Sequence, residues 1–134
     1  MGARELPPVA VVLSFIDRVN HGDVEGLGRL MTEDHTLEVL DEAPLRGRAA
    51  NVQAWRGYVT SFPAYVIYPR RISERAGRVA VLGHTTGSHL GLPDEREREL
   101  TLIWVAAVTG GRVSGWRLLE DTAELRRDLG LDQV

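Results

Sequence analysis

LTLIWVAAVTGGRVSGWRLLE, residues Leu100 to Glu120, sets two runs of branched and aromatic residues on either side of Gly110-Gly111. Two glycines between such runs predict a two-residue hairpin turn, because both central positions then need a positive φ that glycine adopts without strain. An uninterrupted ladder from that turn pairs Val108 with Val113, Val105 with Trp116, Ile103 with Leu118 and Thr101 with Glu120. Paired residues share a sheet face, so Ile103, Val105, Trp116, Leu118 and Glu120 fall on one side. Leu102, Trp104, Ala106, Val113 and Leu119 fall on the other. A sheet with one wet face alternates apolar with polar, and this one is largely apolar on both. Something must cover each side. Trp104 and Trp116, on opposite faces, are expected to point one into the domain and one toward a partner subunit.

Upstream, Tyr65 to Arg75, Arg78 to His89 and Glu97 to Val108 read as further strands. Their short glycine-bearing connections predict an antiparallel meander ending in Arg112 to Glu120. Val9, Val12, Leu13, Ile16 and Val19 have helical spacing over Pro7 to Asn20, with Pro8 suited to a first turn. Gly22 stops that helix, and Asp23 can cap a short second one whose apolar face is Val24, Leu27, Leu30 and Met31. His35 to Leu40 reads as a strand. A third helix over Arg48 to Ser61 puts Val52, Trp55, Tyr58, Val59 and Phe62 on one face. A last helix from Thr122 to Leu129 has Gly130 as its C-cap. These helices can cover one sheet face, so the other is expected to be buried in a two-fold homodimer through the sheet.

A chain of 134 residues suits one domain, taken as residues 1–134, with a single pocket. The absence of cysteine excludes disulfides, thiolate metal sites and cysteine nucleophiles. All 16 basic residues are arginine and are interspersed among 19 acidic ones, so no basic stripe for nucleic acid is present. No apolar run is long enough to span a membrane, and Met1 to Pro8 lacks a leader pattern, so a cytoplasmic protein with no membrane partner is expected. No two histidines and a carboxylate recur at ligand spacing on one expected face, so no metal and no cofactor is expected.

Phe15 to Asp34 (FIDRVNHGDVEGLGRLMTED) and Leu45-Arg46-Gly47-Arg48 are followed by Gly87-Ser88-His89-Leu90-Gly91, similar to a "GTHxG" motif. Gly111-Arg112-Val113 with Trp116 and Asp121 is similar to "dGkIxxxWxxxxD". Asp128-Leu129-Gly130 sits where a "QLG" ending would be, which Gln133 does not match. In this order and spacing the chain resembles the nuclear transport factor 2-like superfamily, and within it the SnoaL-like polyketide cyclases. The resemblance implies an α+β fold: a cone-shaped, curved, mostly antiparallel sheet wrapped around three N-terminal helices, with a short C-terminal helix, a cystatin-like α+β barrel with one deep pocket. It also implies an apolar, ring-bearing ligand and cofactor-independent proton-transfer chemistry: cyclisation, isomerisation or dehydration. The alternative is a non-catalytic binding or dimer-forming module of the same fold.

Two catalytic sets known on this fold are missing. Alignment with the ketosteroid isomerases puts their tyrosine at Phe15 and their aspartate base at Val39, and neither apolar group can accept or donate a proton. The acid of the limonene epoxide hydrolases falls on Leu118. The remaining catalytic candidates are Glu38, His84, His89 and Glu120. Glu38 lies among apolar residues, where burial would raise its pKa toward a useful base; it could equally face solvent or pair with an arginine. His84 has apolar neighbours and His89 the motif, and strict alternation puts them on opposite faces. Glu120 shares the face of Trp116. Asp121 is expected to cap the last helix, with His21 and His35 at the surface or at caps. Phe15, Trp55, Tyr58, Trp116 and Leu118 are the expected ligand-contacting residues, weighed against plain core packing.

Overall fold

The structure is a computed structural model that describes residues 6–132, so the readings at Met1 to Glu5 and at Gln133 lie outside the described residues. In chain order the elements are α1 (Pro8–Asn20), α2 (Val24–Arg29), β1 (Met31–Val39), β2 (Leu45–Arg46) and α3 (Arg48–Ser61). Then come β3 (Val66–Arg75), β4 (Arg78–Thr86), α4 (Asp94–Glu97), β5 (Leu102–Thr109), β6 (Arg112–Glu120) and α5 (Ala123–Asp128). The six strands form one curved sheet in the order β2-β1-β6-β5-β4-β3. Strands β3 to β6 are the expected meander, while β1 lies parallel to β6. Helices α1 and α3 pack on the inner face of the sheet, as the implied cone requires.

The hairpin turn sits at Gly110-Gly111, with φ of 58° and 76°, values that favour glycine at both positions. The expected register holds only at its first pair. Val108 opposes Val113, but Ala107 opposes Gly115 and Ala106 opposes Trp116, because Ser114 bulges out of β6. The Ser114 hydroxyl is used locally, donating to the carbonyl of Ala107 at 3.2 Å. One extra residue exchanges the faces of every later pair, so Trp104, Ala106, Trp116 and Leu118 share the inner face. The expectation that one of the two tryptophans turns toward a partner subunit is therefore corrected: Trp104 is 2% exposed in the same core as Phe15 and Trp116.

The outer face is also partly covered from within the chain. Ala80, Leu82 and Ile103 pack with Leu131, and Val105, Leu119, Leu125 and Leu129 border them, so α5 and the residues after it cap this region. Asp121 holds that cap without being its N-cap. Thr122 accepts from the Leu125 N–H, while Asp121 takes the Arg126 guanidinium at 2.7 and 2.6 Å and the Thr101 hydroxyl at 2.5 Å. The Arg126 hydrogen bonds hold the Asp121 carboxyl below its ordinary range.

β1 begins at Met31, in what was expected to be the second helix, and so reaches further than the sequence pattern indicates. His35, expected at the surface, is thereby mid-strand and 0% exposed. Its Nδ1 lies 2.7 Å from the Val113 carbonyl and its ring stacks near Phe15 at 5.9 Å. Burial lowers its pKa, favouring the neutral ring. His21 is exposed beside Asp17, as expected. Asn51, fully buried, donates to the carbonyls of His35, Leu45 and Gly47 and so ties α3 to the β1–β2 edge.

Candidate active site

Between α3 and the inner face of the sheet lies a cavity of about 200 Å³ lined by Leu37, Val39, Ala54, Trp55, Tyr58, Tyr65, His89, Trp104, Trp116 and Leu118. Trp55 and Tyr58 are three residues apart on α3, Leu37 and Val39 alternate on β1, and Trp116 and Leu118 alternate on β6. Each element thus sends its inward-facing side chains to one space. All three tryptophans of the chain are in the wall.

The polar group at the mouth is a pair. Tyr58 Oη lies 2.9 Å from His89 Nδ1, and the His89 backbone N–H donates to the same oxygen at 3.2 Å. That donation occupies one tyrosyl lone pair and leaves the other, with the hydroxyl hydrogen, for the ring and for a ligand. His89 itself is carried by the loop after β4. Gly87 opens this loop with φ 68°, and a Cβ there would lie 2.3 Å from the Ala64 carbonyl oxygen, so the chain passes too close for another residue. Burial raises the pKa of Tyr58, and it raises that of Tyr65 further, so both phenols stay protonated over the neutral range.

Of the four ionisable candidates, the structure brings only His89 to this cavity. Glu38 points to the outer face and pairs with Arg117, Nε to Oε2 3.2 Å, because Leu37 and Val39 take the inward positions on β1. His84 is also on the outer side of β4. Its ring stacks on Tyr68 at 4.8 Å and its Nδ1 lies 3.2 Å from Arg70 Nε. Partial burial, then Arg70 and Arg98, lower its pKa. Glu120 is exposed at the end of β6, beside a shallow groove with Leu40, Leu119 and Leu125. β4 stops at Thr86, so the alternation that separated His84 from His89 ends before His89 is reached.

Trp55, Tyr58, Trp116 and Leu118 line the cavity, but Phe15 does not. It is 0% exposed behind Trp116, ring centroids 4.7 Å apart, and belongs to the core beneath the wall. Val39 and Leu118, the positions of the two missing acids, both face the cavity. Among the described residues, no cluster of three histidine, aspartate or glutamate side chains is placed to hold a metal.

One charged residue near the site carries no mark in the sequence. Glu97 sits within Asp94-Glu95-Arg96-Glu97-Arg98-Glu99, which reads as a solvated run, yet it is 1% exposed. The Thr85 hydroxyl donates to its Oε2 at 2.5 Å and the Ser88 N–H to its Oε1 at 3.4 Å. Expected at the start of β5, Glu97 instead ends the single turn of α4, and β5 begins at Leu102.

The SnoaL-like domain model matches residues 12–116. Among solved structures, the chain is similar to a candidate polyketide cyclase of Sinorhizobium meliloti, with TM-score 0.68, 22% identity, and 84% of this chain and 94% of that one covered. It is similar to TerC co-crystallised with polyporic acid, with TM-score 0.70, 17% identity and coverages of 92% and 98%. It is also similar to SalBIII, an epoxide hydrolase/cyclase-like enzyme of pyran ring formation in salinomycin, with TM-score 0.70, 21% identity and coverages of 86% and 91%. At these identities the structural likeness speaks for the fold, and the family match, over most of the chain, places it: this protein belongs to the SnoaL-like domain family, within the nuclear transport factor 2-like superfamily.

Proposed function

We propose that the cavity binds a neutral, flat, ring-bearing molecule with one oxygen at the mouth, and that Tyr58 and His89 move a proton at a carbon beside that oxygen. The observation that carries this reading is the wall: aromatic and aliphatic groups throughout, with Tyr58 and His89 hydrogen-bonded to each other at its edge. An apolar cavity of 150 Å³ holds benzene, so about 200 Å³ suits a ligand of one to two rings. The neighbours support a ring-bearing ligand, since one was crystallised with polyporic acid and another acts in ring formation.

With the Nδ1–H of His89 donated to Tyr58 Oη, Nε2 is a free base and the tyrosyl hydrogen is available to a ligand oxygen. Nε2 takes the proton from the carbon next to a carbonyl, and the electron pair passes to the carbonyl oxygen, which the Tyr58 hydroxyl stabilises by hydrogen bonding. Return of the same proton to another carbon completes an isomerisation with no net change. Expulsion of hydroxide from the neighbouring carbon, which takes the proton held on Nε2 and leaves as water, gives a dehydration, and attack by the carbanion on a second carbonyl, whose oxygen takes that proton, gives a cyclisation. No cofactor enters any of these steps. A cytoplasmic location, expected from the sequence, is carried as part of the same proposal.

The test is solvent deuterium exchange into 2-tetralone followed by NMR. Wild type should bind the ketone and accelerate exchange next to the carbonyl, while His89→Gln and Tyr58→Phe should lose about ten-fold or more of that rate. Binding without exchange would favour the second reading, a binding module, which the apolar side chains at Val39 and Leu118 support. Absence of binding would overturn both.

For assembly, we propose that the outer face left open by α5 joins two copies. Thr36, Val105, Ala107 and Gly115 form a small-residue patch there, edged by Glu38, Arg78 and Arg117. A two-fold contact would bury it. Sedimentation equilibrium at micromolar concentration should give twice the chain mass, and Ala107→Arg should return the monomer mass; a monomeric wild type would overturn the dimer.

A further inference from the structure

We propose that Glu97 is a specificity residue which makes the cavity select against anionic ligands and in favour of neutral and cationic ones; this rests on the cavity being the binding site. Both carboxyl oxygens of Glu97 are hydrogen-bonded, one to the Thr85 hydroxyl and one to the Ser88 N–H. Among the described residues it has no ion-pair partner, and it is almost wholly screened from water. A buried charge without a counter-charge acts over a longer range than an exposed one, because neither water nor a salt partner neutralises its field. Ser88, one of its two donors, directly precedes His89 at the mouth.

After burial, the Glu97 charge is among the causes that raise the pKa values of Tyr58 and Tyr65. Among the described residues, no arginine lines the cavity. Arg70 and Arg98 act on His84 from the outer side of β4, where Arg70 and Arg98 are both exposed and solvent weakens them. A carboxylate entering the cavity would thus lose its hydration and meet a negative field, with no cation in the wall among the described residues to pair with. A phenol or ketone meets neither cost, and an ammonium group is desolvated but attracted.

The Glu97 hydrogen bonds also hold the end of β4 and the start of the loop that carries His89. Loss of the carboxyl group alone, with the acceptor kept, separates the charge from this support. Glu97→Gln keeps an amide oxygen that can accept from Ser88 or Thr85 and removes the charge.

Three ligands with the same rings test the proposal by isothermal titration calorimetry at neutral pH: 2-naphthol, 2-naphthoate and 2-naphthylmethylammonium. Desolvation penalises both ions, so the difference between them reads the sign of the field. At an effective dielectric near 20, a unit charge on the order of 10 Å from a ligand ion changes its affinity by roughly ten-fold, in opposite directions for the two ions. Wild type is expected to bind the naphthol and the ammonium compound, with the naphthoate at least roughly ten-fold weaker than the ammonium compound. In Glu97→Gln the two ions should come within about two-fold of one another, with naphthol affinity little changed. Naphthoate binding as well as the ammonium compound in wild type would overturn the proposal and leave the cavity reading intact, as would an ion preference unchanged in a folded Glu97→Gln. Binding of none of the three would overturn the cavity reading itself. The wild-type comparison needs no variant, so it stands even where Glu97→Gln does not fold.

Discussion

On the inner face of β5 and β6, Trp104, Ala106, Trp116 and Leu118 meet α1 and α3, and the large rings leave a cavity between the helices and the sheet. On the outer face of the same strands, Ile103, Val105 and Leu119 meet α5 and Leu131, and these smaller aliphatic groups close with a short segment of chain. The two faces are similarly apolar in sequence. They differ in side-chain size and in what covers them. Indoles and phenols are rigid, so a few helices cannot fill every gap between them, whereas leucine and valine interdigitate under one helical turn and a following residue. The face with the larger rings therefore holds the cavity, and the face with the smaller groups holds the cap.

The largest break in this comparison comes from its inner side. Trp104→Ala should cost about 3–5 kcal/mol in urea unfolding, since a fully packed ring is replaced by a void that joins the cavity. A cost below about 1 kcal/mol would mean that the inner core collapses readily and that the cavity is not rigid. Leu131→Ala, on the outer side, should cost about 2 kcal/mol and speed amide exchange in α5, while leaving ligand affinity unchanged. Loss of ligand affinity in that variant would show that the outer cap shapes the site.

Acid separates the two sides by pH window. His35, under the inner face, has its pKa lowered from 6.5 by burial. Its contribution is present above about pH 6.5 and is lost as the pH falls below that, because the unfolded state takes up the proton first. Asp121, which fastens the outer cap, has its carboxyl lowered from 3.8, so its contribution is present above about 3.8 and is lost only below it. Melting temperature should then fall in two stages on acidification, and His35→Asn should flatten the first and Asp121→Asn the second. The smallest effect belongs to the exposed Glu38–Arg117 pair. Glu38→Gln should change stability by less than about 0.5 kcal/mol and leave deuterium exchange into 2-tetralone as in wild type. A strong loss of exchange would return Glu38 to the site.

Local signals along the chain account for most of the elements, and longer-range ones for fewer. Helical spacing over Pro8–Asn20 and Arg48–Ser61 and the glycine pair at the hairpin are properties of near neighbours, and they are read directly from the chain. The bulge at Ser114 is not, since a serine in a strand looks like any outward residue until its partners are known. The single extra residue there reversed the relative placement of Trp104 and Trp116. The pairing of β1 with β6 joins residues 31–39 to 112–120, a contact that no window of sequence contains, and with it came the burial of His35. In the site, Trp55, Tyr58, Trp116 and Leu118 were legible from spacing and from family resemblance, and His89 from its motif. Glu38, His84 and Glu120 were misplaced because an ionisable residue among apolar ones marks a strand without saying which face it is on. Glu97 was missed for the opposite reason, a buried carboxylate inside a run of charges.

The most direct measurement of the central claim is a titration of 2-tetralone into wild type and Ala54→Phe, followed by tryptophan emission. Ala54 lines the cavity from an exposed position on α3, and all three tryptophans are in the wall, so the signal reports this space and the substitution fills it with little strain. The account predicts a saturable change at one site in wild type and its loss in Ala54→Phe. An unchanged emission in wild type, or an equal saturable change in the filled variant, would contradict it.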